Sequence, residues 1–422
     1  MPTANESSSL WSPFRHRLFR LLWFASLASN IGTSLHDVSA AWLMTSLTLS
    51  PIMIALMQAA STFPVFLLAL PAGAIADVVD RRRLLLFTQT WMALAAAALS
   101  LLTLSGHVVP TTLLALTLIA GLGMALNIPV WQAITADMVP RHELAAAAAA
   151  GGIGFNMARV VGPALGGLLL AAAGPGPSGP GAVFMLNAVS FLGVIGVLYG
   201  WQPAPASRRF PVERIWEAMA TGIRYGRRSA RLQAILVRTA PFVFCASAAW
   251  SQLALIARTQ VHATATGYGL LLASLGVGAV FGGTLLPAAR RALSLDRLAG
   301  VSYGVFAAVL FAVSGARSVA GLIPWLLAGG AVWMFMMSSM NAAVQLVAPA
   351  WVRGRALSLH LLVFMAAFSA GSVVWGVTAS KLGLPRTFVL ASAGIVIGWL
   401  LTASHRLVTS EDTDFSAPES LA

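Results

Sequence analysis

Long apolar stretches dominate this chain, and they limit its fold more than any other feature of the sequence. A helix needs roughly 20 apolar residues to cross the hydrocarbon core of a bilayer. Short runs rich in Gly, Pro and Ser separate twelve stretches of that kind, at 18–46, 52–76, 84–105, 111–138, 144–172, 181–201, 233–257, 268–289, 297–316, 320–348, 355–381 and 385–406. The sequence therefore predicts an all-α integral membrane protein with twelve transmembrane helices.

Charged side chains are scarce, and this scarcity excludes most soluble classes of protein. They make up 9% of the 422 residues, whereas a soluble domain carries about 25%. A soluble enzyme, a disordered chain and a coiled coil are therefore excluded. The single cysteine, Cys245, and seven histidines without ligand spacing predict no metal site. Since the sequence also shows no catalytic constellation and no P-loop, we expect neither enzymatic activity nor a cofactor.

The basic residues are distributed unevenly between the two sides of the predicted bundle. With twelve spans, both termini lie on the same side as the even-numbered loops. That side holds twenty of the 26 Lys and Arg residues, and the odd-numbered loops hold four, namely Arg258, Arg317, Lys381 and Arg386. Because basic loops stay in the cytoplasm, the pattern predicts cytoplasmic termini. It also explains the net charge of +13 without a nucleic-acid partner.

The longest connection between spans divides them into six plus six. This division predicts five segments, namely a cytoplasmic N-terminal segment at 1–17, a six-helix half at 18–201, a cytoplasmic linker at 202–232, a second half at 233–406 and a cytoplasmic tail at 407–422. In the linker, Val212, Ile215, Met219 and Ile223 have nearly helical spacing, and basic residues fill the other side. Such an amphipathic helix either lies on an anionic membrane surface or forms a solvated connection without lipid contact.

A weak internal repeat supports two related halves. Gln132, near the end of the fourth span, is followed by Pro140-Arg141, and Gln345, near the end of the tenth, is followed by Pro349 and Arg353. Two halves related by an axis along the membrane normal form one of the known transporter architectures.

The connection between the second and third spans carries a recognisable motif. It reads Gly-Ala-Ile-Ala-Asp-Val-Val-Asp-Arg-Arg-Arg and resembles the signature loop of the major facilitator superfamily, with matches at Gly73, Asp77, Arg81 and Arg82. Val78 and Asp80 stand where the family has Arg and Gly. The resemblance implies the two-half, twelve-helix fold, and it implies that these four residues act as a latch between conformations.

A second motif lies in the fifth span. Gly162-Pro163-Ala-Leu-Gly166-Gly167 resembles the antiporter signature, which occurs mainly in exporters of the superfamily. Glycines let helices approach closely, and an internal proline bends a helix. In the fourth span Gly121-Leu-Gly123 is present, but Thr117 stands where proton-driven exporters often have an arginine.

Three further segments narrow the resemblance. Ser29–Gly32, Ala40–Leu43 and Val352–Arg355 are similar to the branch that contains bacterial enterobactin exporters and macrolide-efflux proteins. Members of one fold family share topology and not substrate, so the branch does not identify the transported molecule.

Two charges lie well inside the predicted spans. Arg159 is near the middle of the fifth, at a cost of roughly 2.5–3.5 kcal/mol, and Asp37 is outward of the centre of the first. Arg159 either binds an anionic substrate, pairs with Asp37 as a gate, or is a structural residue satisfied by carbonyls or water. Asp37 is either a protonatable coupling group or a carboxylate in an outward vestibule exposed to bulk water.

Polar side chains mark the faces that line a cavity. On the first span Asn30 shares one helical face with Ser26, Thr33 and Asp37. The resemblance implies that spans 1, 4, 7 and 10 surround a central cavity, which adds the binding candidates Asn127, Trp131, Trp250, Gln252, Asn341 and Gln345. Each of these side chains could instead form a hydrogen bond between helices with no ligand.

The sequence thus predicts a secondary active transporter of the bacterial inner membrane. We expect an exporter of a small amphipathic molecule (a drug, a siderophore or a secondary metabolite) that works by alternating access and is driven by a proton or other ion gradient. Its expected partners are membrane lipid and the substrate, and a monomer is favoured. The alternatives are an importer on the same fold and a non-transporting membrane receptor or scaffold.

Overall fold

Twelve long α-helices make up most of the residues that the structure, a computed structural model, describes. These residues are 11–174, 176–201, 224–349, 352–405 and 407. The helices have 19 to 31 residues, and they are α1 Arg17–Leu47, α2 Pro51–Val78, α3 Arg81–Leu104, α4 Pro110–Met138, α5 Leu144–Ala172, α6 Ser178–Gly200, α7 Ala230–Thr259, α8 Ala265–Ala292, α9 Leu295–Ser314, α10 Val319–Val347, α11 Arg353–Leu382 and α12 Leu384–Thr402. Every end lies within four residues of the corresponding predicted stretch.

Local sequence signals explain many of the helix starts. Proline occupies the first turn of α2, α4 and α12, where its missing N–H costs nothing. Five other helices begin after a residue whose side chain accepts a backbone N–H of the first turn, namely Asp80, Ser229, Thr264, Ser294 and Ser318.

Eleven of the described helices are long and apolar enough to cross a membrane, so the protein is a multi-pass membrane protein. The long helix outside this group is α1. It carries Arg17, Arg20 and Asp37 together with the polar face around Asn30, and these residues lower its apolarity. The large apolar side chains that remain exposed, such as Leu94 and Leu401, lie on the faces that lipid would cover.

The helices pack mainly within two sets of six. In the first set α1 packs on α5 and α6, α2 on α4, and α3 on α4 and α6. In the second set α7 packs on α11 and α12, α8 on α10, and α9 on α10 and α12. The two sets meet chiefly where α2 packs on α11 and α5 packs on α8.

The linker is described only at its end. The predicted amphipathic helix lies mostly in 202–223, outside the described residues. Residues 224–228 are helical and then break at Ser229, so α7 begins at Ala230. The hydroxyl of Tyr225 donates to the Val347 carbonyl at 3.2 Å, which ties this end of the linker to α10.

Candidate functional site

Asp37 and Arg159 face an open space inside the helix bundle. Asp37 lies past the middle of α1, a helix that packs against α2, α4, α5, α6, α7 and α8, and yet its side chain is exposed. Arg159 lies at the middle of α5 and is exposed as well. Because α1 is surrounded by other helices, the exposure of Asp37 means that its side chain lines an internal cavity, and the electrostatic interaction between Arg159 and Asp37 places Arg159 at the same cavity.

The two charges act on each other without direct contact. Asp37 and Arg159 interact electrostatically across the space between α1 and α5. Within the described side chains, neither residue makes a hydrogen bond or an ion pair at contact distance. The Arg159 guanidinium lies 5.9 Å from the ring centroid of Phe155, which is within the range of a cation–π interaction. The couple is therefore able to take up a further charged or polar group.

A cluster of four residues joins the two sets of helices beyond this space. Trp42 of α1 stacks on Tyr268 of α8 with ring centroids 5.7 Å apart. The Arg258 guanidinium of α7 lies 5.3 Å from the Trp42 ring and donates to the Thr45 hydroxyl at 3.2 Å. We call Trp42, Thr45, Arg258 and Tyr268 the closing cluster. It lies where α1 ends and α2 begins, which we call the α1–α2 end of the bundle.

Gln252 strengthens the same end. It is fully buried and donates from its amide to the Pro51 carbonyl at 3.1 Å. The structure thus places this predicted cavity residue in the interface between α7 and α2.

The Gly-Pro-x-x-Gly-Gly motif packs α5 against two neighbours at once. A β-carbon at Gly162 would overlap the side chain of Ser34, so this glycine holds α5 close to α1. A β-carbon at Gly166 would lie 3.3 Å from Val38, also on α1. Gly167 points the other way, where a β-carbon would lie 2.9 Å from the Gly269 Cα of α8. The motif therefore permits both the α1–α5 contact and the α5–α8 contact.

The opposite end of the bundle, where α1 begins, shows contacts of another kind. His16 and Glu143 approach to 2.8 Å between the starts of α1 and α5. Arg238 is buried, pairs with Asp296 at 2.6 Å, and donates to the carbonyls of Thr402 and Ala403 at the end of α12. These contacts stay within one set of six helices. Among the side chains that the structure describes, the contacts named above that join the sets lie at the α1–α2 end, and they close the bundle there.

The predicted latch is described in part. The surroundings of Gly73 and the side chain of Asp77 are not among those that the structure describes. Arg82 donates from Nε and Nη2 to the carbonyls of Leu198 and Tyr199 at 2.8 Å, and so caps the end of α6 in its own half. Asp80, which departs from the family pattern, accepts the Arg83 N–H and caps α3.

The remaining candidates differ in their surroundings. Asn30 is half-buried on the accessible face of α1, and Asn127 is buried within α4. Trp131 packs against an apolar cluster that includes Val130 and Leu198. Asn341 and Gln345 are both exposed on α10.

Sequence reasoning singled out Trp250 on the seventh span but missed the aromatic cluster around it in the second set of helices. Trp250 of α7 lies 4.3 Å from Trp333 of α10 and 6.0 Å from Phe368 of α11, measured between ring centroids. Phe364 and Phe306 complete the cluster around Trp333. For the other members of the cluster, the signal in the sequence is the spacing of four between Phe364 and Phe368, and aromatic residues four apart are common in apolar helices.

Comparison with known proteins identifies the family. Residues 8–421 match the family model described as transmembrane secretion effector. The chain is 29% identical over 167 residues to the multidrug efflux pump Tap of Mycolicibacterium fortuitum, a match that covers 36% of this chain and 39% of that protein. It is 28% identical over 142 residues to the staphyloferrin A transporter of Staphylococcus aureus strain NCTC 8325 / PS 47, over 33% and 36% of the two chains. The matches thus span less than two-fifths of each curated relative.

The fold is also shared with solved structures. The chain superimposes on a bacterial homologue of the human lysosomal transporter Spinster, in an inward-facing and occupied conformation, with a TM-score of 0.74. That match covers 93% of this chain and 98% of the other, at 14% sequence identity, and it shows the fold. The chain therefore belongs to the transmembrane secretion effector family of the major facilitator superfamily, whose members are transporters and not enzymes.

Proposed function

We propose that this protein is a secondary active exporter of a small amphipathic molecule, and that it works by alternating access. One observation carries the proposal: the accessible Asp37–Arg159 couple lies in mid-bundle, beyond which the closing cluster joins the two sets of helices. A charge at this depth costs roughly 2.5–3.5 kcal/mol, so intramembrane charges mark transport pathways.

The proposed topology has twelve spans with both termini in the cytoplasm. At 1.5 Å per residue, the 31 residues of α1 reach about 46 Å, which is enough to cross a bilayer. The helices around α1 keep its polar face away from lipid. Twenty of the 26 basic residues lie on the side of the termini. The α1–α2 end then faces the outside of the inner membrane, and the closing cluster keeps it closed on that side.

The proposed cycle breaks and reforms the contacts between the halves. Export requires the α1–α2 end to open, so α5 must part from α8 and α2 from α11 around Gly167 and Gly376. The signature loop at Gly73 and Asp77 would hold the cytoplasmic end closed in the other state. The efflux pump Tap among the relatives and the Gly-Pro-x-x-Gly-Gly motif both favour export over import.

Asp37 is the proposed proton-binding group. A guanidinium keeps its charge in proteins, whereas a carboxylate can bind a proton. With the proton absent, the carboxylate attracts Arg159. With the proton bound, this attraction is lost and Arg159 is left as the sole charge of the couple. A cycle that alternates between these two states links substrate exit to proton entry.

The test is flux in proteoliposomes under an imposed pH gradient. We would use ethidium, a planar cation, and carboxyfluorescein, a planar anion, as transport probes, with a pH dye inside the vesicles. The wild type is expected to move a probe and protons in opposite directions. Asp37→Asn should leave probe movement independent of the pH gradient, because the amide binds no proton. Arg159→Gln should abolish or uncouple the flux.

Two controls make the result specific. Asp37→Glu keeps a carboxyl group and should retain coupling, and Arg317→Gln removes an exposed charge from the α9–α10 connection and should behave as wild type. Proton dependence that survives in Asp37→Asn would remove this residue from coupling. Probe binding without any flux in the wild type would favour a receptor or scaffold.

A further inference from the structure

The two sets of helices are related by a regular register. Gly162 of α5 packs on Ser34 of α1, and Gly371 of α11 packs in the same way on Ser247 of α7. Equivalent positions are therefore 209 residues apart on α5 and α11, and 213 apart on α1 and α7.

A second pair of contacts gives the same register independently. Gly167 of α5 meets Gly269 of α8, and Gly376 of α11 meets Ala55 of α2. The separation between Gly167 and Gly376 is again 209 residues. The two interfaces between the sets are therefore built alike.

The pseudo-twofold axis passes through the closing cluster. Thr45 and Arg258 are 213 residues apart, so they are equivalent positions of α1 and α7, and they are hydrogen-bonded to each other. A residue touches its own equivalent only at a twofold axis. Positions the same number of residues back along α1 and α7 therefore lie on opposite sides of this axis.

The register pairs the charge couple with two aromatic residues. The equivalent of Asp37 is Trp250, and the equivalent of Arg159 is Phe368. Asp37 and Trp250 both lie eight residues back from the axis contact, about 12 Å along their helices. Trp250 and Phe368 contact each other with centroids 6.0 Å apart. An aromatic pair thus stands in one half where a charge couple stands in the other.

Solvent accessibility distinguishes the aromatic rings that only pack in the core from those that can contact a substrate. Phe242 and Phe306 of the same aromatic cluster are fully buried and act as core. Trp250 and Trp333 are only half-buried. Trp250 lies on α7, the span with 78% of its residues buried, more than any other span assessed. Its exposed part therefore faces the interior of the bundle and not lipid.

We propose that the central site has two unlike poles, and that the substrate is a polar, ionisable molecule that carries an aromatic ring system. Trp250 and Trp333 form the ring pole and bind the flat rings of the substrate, and the buried ring of Phe368 packs against both of them. Asp37 and Arg159 bind its polar group across the axis. This substrate class rests on the proposed transport function. Flat rings bind such side chains by offset or edge-on contacts between ring systems.

The experiment measures binding to the purified full-length protein in detergent, without transport. Fluorescence anisotropy of ethidium and of carboxyfluorescein gives the dissociation constant of each dye. At least one of the two dyes is expected to bind the wild type. Trp250→Leu and Trp333→Leu should each weaken its binding about tenfold, equivalent to about 1.4 kcal/mol. Trp250→Phe keeps a ring and should stay within about threefold of the wild type.

A matched control and a melting curve protect the interpretation. Trp325→Leu removes an exposed tryptophan from α10 in the same half and should leave binding unchanged. Thermal melting identifies any variant that fails to fold, and the remaining folded leucine variant then decides the result. Equal weakening by Trp325→Leu, or folded Trp250→Leu and Trp333→Leu variants with wild-type affinity, would overturn the ring pole.

The outcome is separable from that of the transport proposal. Loss of dye binding in the ring variants supports the ring pole even if the wild type shows no flux in proteoliposomes. Conversely, flux of a dye that the ring variants leave unchanged would support transport and overturn the ring pole. Failure of both dyes to bind the wild type below millimolar concentrations would also overturn it.

Discussion

Arg258 joins the two sets of helices at the α1–α2 end through contacts that are weak enough for the sets to separate again. It holds α1 through the face of Trp42 and the hydroxyl of Thr45. A cation–π contact contributes about 0.5–2 kcal/mol, and a hydrogen bond about 0.5–1.5 kcal/mol. Contacts of this size bias an equilibrium between two states without making either permanent.

Replacement of Arg258 should therefore loosen the closed end. In a Cys245→Ser background, a cysteine at position 33 on the accessible face of α1 reports entry from outside. Arg258→Gln should raise its rate of labelling by a membrane-impermeant maleimide about three- to tenfold, because it removes both contacts to α1. Arg317→Gln carries the same charge change at an exposed site on the same side and should leave the rate unchanged. Equal labelling in both variants would remove Arg258 from the closure.

The sequence reveals some of these residues and conceals others for a physical reason. Asp37 and Arg159 are visible because a charge contrasts with the apolar stretch around it. Trp333 and Phe368 give no contrast, since aromatic residues are ordinary in apolar helices. In the sequence, Arg258 is a charged residue at the end of an apolar stretch, as is common at a membrane boundary. Its contact with α1 depends on how the two halves pack together, which the sequence does not reveal.

At the level of helices, the length and apolarity of each stretch predict most of the helices that form. The stretch 144–172 was predicted residue for residue as α5, because apolar length sets its extent and Pro140 and Gly174 flank it. The contacts that fasten helix ends were not predictable. Arg82 reaches carbonyls 116 and 117 residues away, and Arg238 reaches carbonyls 164 and 165 residues away. Sequence spacing carries no information about partners at such distances.

A single methyl group added at Gly167 tests the contact between α5 and α8. Gly167→Ala should destabilise the closed state, because its β-carbon meets the Gly269 backbone and overpacking costs about 1–3 kcal/mol. We expect a lower melting temperature and faster labelling of the cysteine at position 33. Gly151→Ala on the same helix meets open space and should be neutral or slightly stabilising. If Gly167→Ala changed neither the melting temperature nor the labelling rate, α5 and α8 would not be in close contact at this position.

For the whole molecule, the charge distribution predicts its orientation in the membrane. Alkaline phosphatase, which is active only outside the cytoplasm, should be inactive when fused after His405 and active when inserted between α7 and α8 near His262. Expression of both fusions is checked by immunoblot. Activity of the C-terminal fusion would contradict the cytoplasmic termini and, with them, the even number of spans.

The meeting of Thr45 with Arg258 also bears on how such a protein could arise. Two identical six-helix halves would place the same residue on both sides of the axis at this point. Two arginines would repel each other there, and two threonines would lack the positive charge that interacts with the Trp42 ring. The contact therefore requires two halves that differ in sequence at these positions. A homodimer of either half, even if it folded, could not reproduce this closure.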